Sequence, residues 1–305
     1  MSRSGLKLRH HVGYAALRAV LGLGRMLPLR LLQSSGAALG PLAFRLARRD
    51  AVRARAHVAL AFPDWSDAER EALLRASARH FGAMAGEIVW LRHAAPGEVD
   101  ALVSMRGLEH LEAPVAGGRG VVLVTGHLGN WELLNARLGT AGLPITIAVR
   151  EVYDARLDAV ATAVRSRFGT EVVPRGVTAG RRLAAALRRC RAVGLLIDQD
   201  IRDIPGVFVP FFGHDAWTPS GAAALALRTG VPTVPGFIHR QPDGRHVITI
   251  EPPLPDPPGG EVEGRIRELT AASTAAIERA VRRHPEQWVW MHRRWRTRPE
   301  DISRG

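Results

Sequence analysis

The stretch Gly120-Val-Val-Leu-Val-Thr-Gly-His-Leu-Gly-Asn-Trp-Glu132 decides the fold class of this chain. Val121 to Val124 is an apolar, β-branched run with no polar interruption, which reads as a strand buried on both faces of an α/β sheet. Gly126 and Gly129 then make a tight turn, and Leu133, Leu134 and Leu138 fall at helical spacing behind Asn130, a candidate N-cap. At about 100° per residue, positions five apart on one helix lie roughly 140° from each other. His127 therefore belongs to the turn and Glu132 to the first helical turn. There a carboxylate sits near the positive helix end and is expected to accept from one imidazole nitrogen while the other stays basic. Such a pair can take the proton of an alcohol. The backbone N–H groups of Gly129 and Asn130 are expected at the same spot, as a candidate oxyanion site. A partly buried histidine beside a helix-capping glutamate fits these residues as well.

Outward from this stretch, strand and helix patterns alternate. Strands are expected at Ala101 to Met105, Ile145 to Val149, Glu171 to Val173, Val193 to Ile197, Thr233 to Ile238 and His246 to Ile250, with helical patterns at Glu109, Trp131, Ala155, Ala179 and Pro219 between them. The alternation predicts an α/β sandwich with a mixed, mostly parallel sheet. Before it, residues 51 to 91 are helical, broken at Phe62-Pro-Asp-Trp-Ser66, where Ser66 and Glu69 form a capping box. After it, Pro252 to Gly260 is a loop and Val262 to Arg283 an amphipathic helix.

The chain has 305 residues, 46% of them hydrophobic, enough for a sizeable core. Its formal charge of +13 predicts attraction to anionic lipid, nucleic acid or an acidic carrier protein. Lys7 is its only lysine, so nearly all the positive charge is guanidinium, whose fork suits phosphate. Cys190 is the sole cysteine, which excludes an internal disulfide and fits a cytosolic compartment. It reads as packing at a helix end. No H-E-x-x-H or C-x-x-C spacing supports a metal site, and no cofactor motif is present.

Residues 1–49 mix apolar residues with Lys7, Arg9, Arg18, Arg25, Arg30, Arg45, Arg48 and Arg49. The charge-free run Leu31 to Phe44 is shorter than the ~18 apolar residues of a spanning helix. Two readings remain: helices lying in a membrane interface with their basic side toward anionic headgroups, or a helical pair packed on the core. A domain boundary is drawn between 1–49 and 50–305. At the other end, Trp288, Trp290 and Trp295 interleave with His292, Arg293, Arg294, Arg296 and Arg298. An interfacial anchor, a nucleic-acid surface and a terminal helix with packed indoles all fit. The absence of finger and RNP patterns counts against nucleic acid. Phe208-Val-Pro-Phe-Phe212 reads as either the wall of an apolar groove or core packing. Arg150 ends a strand, and Asp198 and Asp200 follow the buried run Gly194 to Ile197, either at a functional edge or capping turns.

His127-Leu-Gly-Asn-Trp-Glu132 resembles the H-x4-D/E motif of bacterial glycerolipid acyltransferases, in the form used by the lipid A lauroyl/myristoyl acyltransferase family. Further similar segments follow in order: Arg150, Gly194-Leu-Leu-Ile-Asp-Gln-Asp200, Gly206-Val-Phe-Val-Pro-Phe-Phe-Gly213, Ala216-Trp-Thr218, Ala226-Leu-Arg-Thr-Gly-Val-Pro232 and Pro285-Glu-Gln-Trp-Val-Trp-Met-His-Arg-Arg-Trp295. The resemblance covers roughly residues 50 to 299. Around Arg150 the family usually has Tyr before and Pro after; here Val149 and Glu151 stand there.

The resemblance implies a membrane-associated acyltransferase on the cytoplasmic face of the bacterial inner membrane. It would move an acyl group from an acyl thioester, acyl carrier protein being favoured over coenzyme A, to a hydroxyl of a glycolipid or phospholipid. A lipid A precursor is the favoured acceptor. It implies His127 as general base oriented by Glu132, with Arg150 and Asp198 helping to order the site, beside Gly129 and Asn130 read above as candidate oxyanion donors to the substrate. No cofactor, metal or nucleic acid is expected. A thioesterase or lipid hydrolase using the same pair, and a non-catalytic basic membrane- or nucleic-acid-binding protein, are the alternatives.

Overall fold

The run Val121 to Thr125 forms the central strand of a seven-stranded sheet, all five of its residues buried. In the computed structural model, which describes residues 22, 24–150 and 154–302, the helices before the sheet are α1 (Leu29–Leu46), α2 (Arg48–Ala61), α3 (Asp67–Leu91) and α4 (Pro96–Leu102). Then follow β1 (Val103–Arg106), α5 (Glu109–Ala116), β2 (Val121–Thr125), α6 (Trp131–Thr140), β3 (Ile145–Val149), α7 (Ala155–Ser166), β4 (Glu171–Pro174), α8 (Ala179–Arg188) and β5 (Ala192–Leu196). A hairpin, β6 (Gly206–Phe211) and β7 (His214–Pro219), precedes α9 (Gly221–Thr229), β8 (Thr233–Arg240), β9 (His246–Ile250), α10 (Val262–Arg283), a 3-10 turn (Pro285–Gln287) and α11 (Pro299–Ile302).

The sheet order is β1-β9-β8-β2-β5-β3-β4. β8, β2, β5, β3 and β4 run parallel, while β9 pairs antiparallel with β8 and carries β1 beside it, so the sheet is mixed and mostly parallel as expected. Successive side chains of β2 enter opposite layers. Val122 and Val124 pack with α8, α9 and α10, and Val121 and Leu123 with α6 and the segment around α4. A strand covered on both sides has no use for polar alternation, which explains its unbroken apolar run.

Local expectations meet three corrections. α4 runs through Leu102, so the first strand starts at Val103 rather than Ala101. Phe208 to Phe211 belongs to the β6–β7 hairpin, with Val209 and Phe211 buried in the core and Pro210 exposed. The C-terminal tryptophans lie on an irregular strap rather than a helix, with Trp288 and Trp290 fully buried. That burial removes them from any membrane or nucleic-acid surface. Elsewhere the reading holds: Ser66 and Glu69 make the reciprocal capping box, and the last long helix covers Val262–Arg283.

Residues 1–21 and 23 lie outside the described residues, so the expected interface helices are seen only from α1 onward. α1 lies along α3 at very short range. A Cβ at Gly36 would collide with the Gly82 carbonyl, and one at Gly40 with that of Ala78. Gln33 of α1 also reaches Glu87 of α3 at 2.7 Å. The outer side of this helix leaves Leu31, Leu39, Leu42 and Leu46 exposed, with Met26 and Leu27 just before it. No helix among the described residues is long and apolar enough to cross a membrane.

Replacing Gly82 by Leu is expected to push α1 off α3 and lower stability by about 1–3 kcal/mol, the usual cost of overpacking. Thermal denaturation together with proteolysis between α1 and α2 checks it: an unchanged midpoint with α1 still protected would show that close approach is not what seats the helix.

Candidate active site

Parallel register builds the site. β2 and β5 pair with Thr125 opposite Leu196, and two residues beyond that pair come His127 on one strand and Asp198 on the other. Asp198 is 1% exposed and accepts three hydrogen bonds: the His127 backbone N–H at 2.7 Å, His127 Nδ1 at 2.7 Å and the Trp288 indole at 2.8 Å. Burial pushes its carboxyl up, but the charge and hydrogen bonds of His127, with help from His292, hold it well below the usual carboxylate range. An ionised Asp198 can only accept, so His127 carries its proton on Nδ1 and offers Nε2 as the basic nitrogen. The His127 side chain is 16% exposed, so the base meets solvent while its carboxylate does not.

The partner expected from sequence is therefore replaced. Glu132 does not orient His127: it is buried on α6, where Arg165 of α7 takes both its oxygens, at 2.7 to 3.1 Å. Burial opposes the Arg165 charge, and Glu132 more than restores it, raising its pKa. The physical reason is direction. From the first turn of α6 the carboxylate is aimed at α7, whereas the imidazole leaves the preceding turn toward β5. Trp131, one residue before Glu132, stands edge-on to His127 with ring centroids 4.9 Å apart.

Of the two expected oxyanion donors, Gly129 is already engaged and Asn130 lies in the interior. The Gly129 N–H donates to the Gln287 carbonyl at 2.9 Å, and Asn130 is wholly buried. Asn130 is instead a structural tie. Its Oδ1 caps α6 by accepting from the N–H groups of Glu132 and Leu133, both at 3.1 Å, and its Nδ2 donates to Glu87 at 2.8 Å. Glu87, fully buried, also receives His246 Nε2 at 2.9 Å and both terminal nitrogens of Arg240. Burial pushes its carboxyl up, and His246 and Arg240 outweigh this to hold it at about 2. Gly129 itself has φ +62, and a Cβ there would strike the Ile238 carbonyl, so only glycine makes this turn.

Sequence reasoning passed over the groups on the open side of His127. Gln199 Nε2 lies 3.1 Å from His127 Nε2 and 3.1 Å from His292 Nδ1. His292 stands edge-on to His127 at 4.7 Å between ring centroids, and burial, followed by the His127 charge, pushes it down to about 4. The C-terminal strap delivers it: Val289 N–H donates to His127 O, and Asp200 accepts from the N–H of Arg296 and Thr297. Asp200 thus secures the strap. The signal for this cluster was the Asp198-Gln199-Asp200 tripeptide itself. Nothing in sequence placed residue 292 beside it.

Arg150 is exposed at the end of β3, where Val149 pairs with Pro174, so Arg175 follows on the neighbouring strand. Burial and the charge of Arg150 lower the Arg175 pKa. Among the described residues no carboxylate pairs with either. These two guanidiniums share the carboxyl edge with His127 and Asp198. A cavity of about 720 Å³ opens elsewhere, beside α1, lined by Arg25, Arg30, Trp90, Leu102 and Arg245.

Among known proteins, a family model described as bacterial lipid A biosynthesis acyltransferase matches residues 3–297. The chain is 29% identical to the lipid A biosynthesis lauroyltransferase of Escherichia coli over 93% of its length and 91% of that protein's. It is 27% identical to the lipid A biosynthesis palmitoleoyltransferase of the same organism, over 98% and 95%. A phosphatidylinositol mannoside acyltransferase of Mycobacterium tuberculosis is 31% identical over 62% of this chain and 58% of its own. The crystal structure of a 1-acyl-sn-glycerophosphate acyltransferase from Thermotoga maritima superposes with a TM-score of 0.38 at 17% identity, covering 82% of this chain and 98% of that one.

One pH dependence follows. His80 of α3, buried behind the turn that carries His127, is pushed by burial and by the Arg240 charge down to about 3 from an ordinary 6.5. A lowered histidine pKa means the unfolded chain binds the proton first. Its contribution to stability is complete above pH 6.5 and declines as pH falls toward 3, approaching about 1.4 kcal/mol per pH unit. Denaturation midpoints measured from pH 7 to pH 4 are expected to fall less steeply in His80→Gln than in the wild type; parallel curves would remove His80 as a cause.

Proposed function

As a member of the bacterial lipid A biosynthesis acyltransferase family the chain is an acyltransferase, and we propose that it moves a fatty acyl group from an acyl thioester to a hydroxyl of a glycolipid acceptor. Acyl carrier protein is the favoured donor and a lipid A precursor the favoured acceptor. The observation that carries this reading is the 2.7 Å contact between His127 Nδ1 and the buried Asp198, which leaves Nε2 basic and facing the open side. The acceptor hydroxyl gives its proton to Nε2 while its oxygen attacks the thioester carbonyl carbon. Asp198 steadies the imidazolium that forms. The tetrahedral adduct then reforms its C=O, the C–S bond breaks, and the proton on Nε2 passes to the departing sulfur. The products are an ester and a thiol, with no covalent enzyme intermediate.

In this reading Glu132 serves at one remove. By fixing Arg165 it holds α6 to α7 and keeps Trp131 against the imidazole. Arg150 and Arg175 meet phosphate groups of the amphiphilic substrates, a task suited to guanidinium geometry. The exposed Leu31, Leu39, Leu42 and Leu46 of α1 lie in the membrane interface, with Arg30 and Arg45 near headgroup phosphates. That arrangement brings a soluble acyl carrier and a membrane-held acceptor to one sheet edge.

His127→Ala is expected to keep donor binding and lose turnover by ~10²-fold or more, the usual worth of a general base. Near-normal ester formation, followed by mass spectrometry of the lipid product, would rule His127 out. Raising salt from low to physiological strength is expected to increase the KM for an acyl carrier protein donor, because the docking is between basic and acidic surfaces. A salt-independent KM would sink that docking.

A further inference from the structure

Of the two oxyanion donors expected at the turn after β2, one is already taken and the other lies on a wholly buried residue. The Gly129 N–H is spent on Gln287 and Asn130 is sealed in the interior. Acyl transfer still develops negative charge on the thioester oxygen, and a base alone does nothing for that charge. A polar side chain already stands at the Nε2 side of the imidazole. Gln199 follows Asp198 directly, so the buried carboxylate that orients His127 also fixes the backbone carrying this amide. Its Nε2 stands 3.1 Å from His127 Nε2 and 3.1 Å from His292 Nδ1.

An amide NH2 has two donors and no available lone pair, so it meets the lone pair of the basic His127 nitrogen with one hydrogen and turns the other toward the His292 ring, whose Nδ1 and Nε2 lie 3.1 and 3.2 Å away. In the free protein Gln199 therefore occupies the position a substrate hydroxyl must take. Binding of the acceptor displaces the amide from Nε2 and frees one N–H about 3 Å from the reacting atoms, the distance at which an oxyanion donor acts. His292 retains the other hydrogen and keeps the amide from leaving the site.

We propose that Gln199 is a catalytic residue of the transfer reaction, capping the His127 base when the site is empty and donating its freed N–H to the thioester oxygen when the acceptor is bound. The inference deepens the acyl-transfer reading and rests on it. As the acceptor oxygen bonds to the carbonyl carbon, its proton goes to His127 Nε2. The C=O π pair moves onto oxygen, where the Gln199 N–H meets it. When that pair returns, the C–S bond breaks and the sulfur takes the proton back from His127. No atom of Gln199 changes its covalent bonds.

The test compares wild type, Gln199→Ala and Gln199→Met, the last keeping the side-chain length while removing both donors. Ester formation and acyl-thioester hydrolysis are measured with acyl carrier protein loaded with a fatty acyl group and a lipid A precursor in mixed micelles. The expected result is a fall in kcat of ~10²–10³-fold for both variants, in transfer and hydrolysis alike, with KM for the two substrates changed by less than about threefold. Equal losses in both reactions mark a group acting on the shared carbonyl rather than on the acceptor. Transfer within threefold of wild type in either folded variant overturns the proposal, and so does a loss confined to KM or to transfer alone. A wild type that makes no ester overturns the acyl-transfer reading itself, an outcome distinct from a variant failing beside an active parent. Thermal denaturation of each variant separates loss of donor from loss of fold, and the Met variant carries the test if Ala does not fold.

Discussion

Everything at this sheet edge depends on the buried Asp198 carboxylate. It takes two hydrogen bonds from His127 and one from Trp288, so three remote stretches of chain meet on two oxygens. An ionised carboxylate with so little exposure exists only because its donors replace water. The dependence is mutual. Asp198 needs His127 and Trp288 to remain charged, and His127 needs Asp198 to remain in one tautomer and one direction. The C-terminal strap is thereby part of the site rather than a tail laid over it, since without Trp288 one of the three donors is missing.

A second buried carboxylate does the same work for the scaffold. Glu87 gathers Gln33 from α1, Asn130 from the turn after β2, Arg240 from β8 and His246 from β9. Asn130 in turn caps α6. The helix with exposed leucines and the turn bearing the base are thus two bonds apart through one acid. Glu87 lies at a position that pattern reading treats as incidental, because a lone acid in a helix carries no periodic signal, whereas Asp198 drew notice as a strand-end carboxylate but not as the partner of His127.

What sequence made legible is local. The apolar run before His127, the Asn130 cap, the Ser66–Glu69 box and the last long helix are all decided within a few residues, and each was readable. The mostly parallel sheet was also readable, from alternation. The partner of the imidazole was not, because Asp198 is 71 positions away and strand adjacency is a tertiary choice. Glu132 was chosen over it on nearness in the chain, yet nearness along a turn-to-helix junction does not fix direction, and Arg165 across the helix pair claimed the carboxylate. The same blindness hid Gln199 beside His292. The β6–β7 hairpin was missed because Pro210 argues against a strand, whereas an exposed edge position accommodates it. The strap was misread because interleaved tryptophan and arginine look alike in any surface or core setting. Arg294 shows how the core setting works: it is buried, donates to Trp217 and Thr218, and stacks on Phe211.

The strap also sets an order of events. Trp288 lies 90 positions after Asp198 and, like His292, follows every described strand of the sheet, while β9 must insert between β1 and β8, which are far apart in the chain. During synthesis the imidazole has its strand and its acid but not the indole that completes the acid's coordination. A half-made chain can therefore collapse around β2 and β5 with this edge still incomplete. The indole that completes the acid and the ring that stands against the imidazole thus arrive only after the whole sheet has been synthesised, so a finished edge is a sign that everything behind it has already folded.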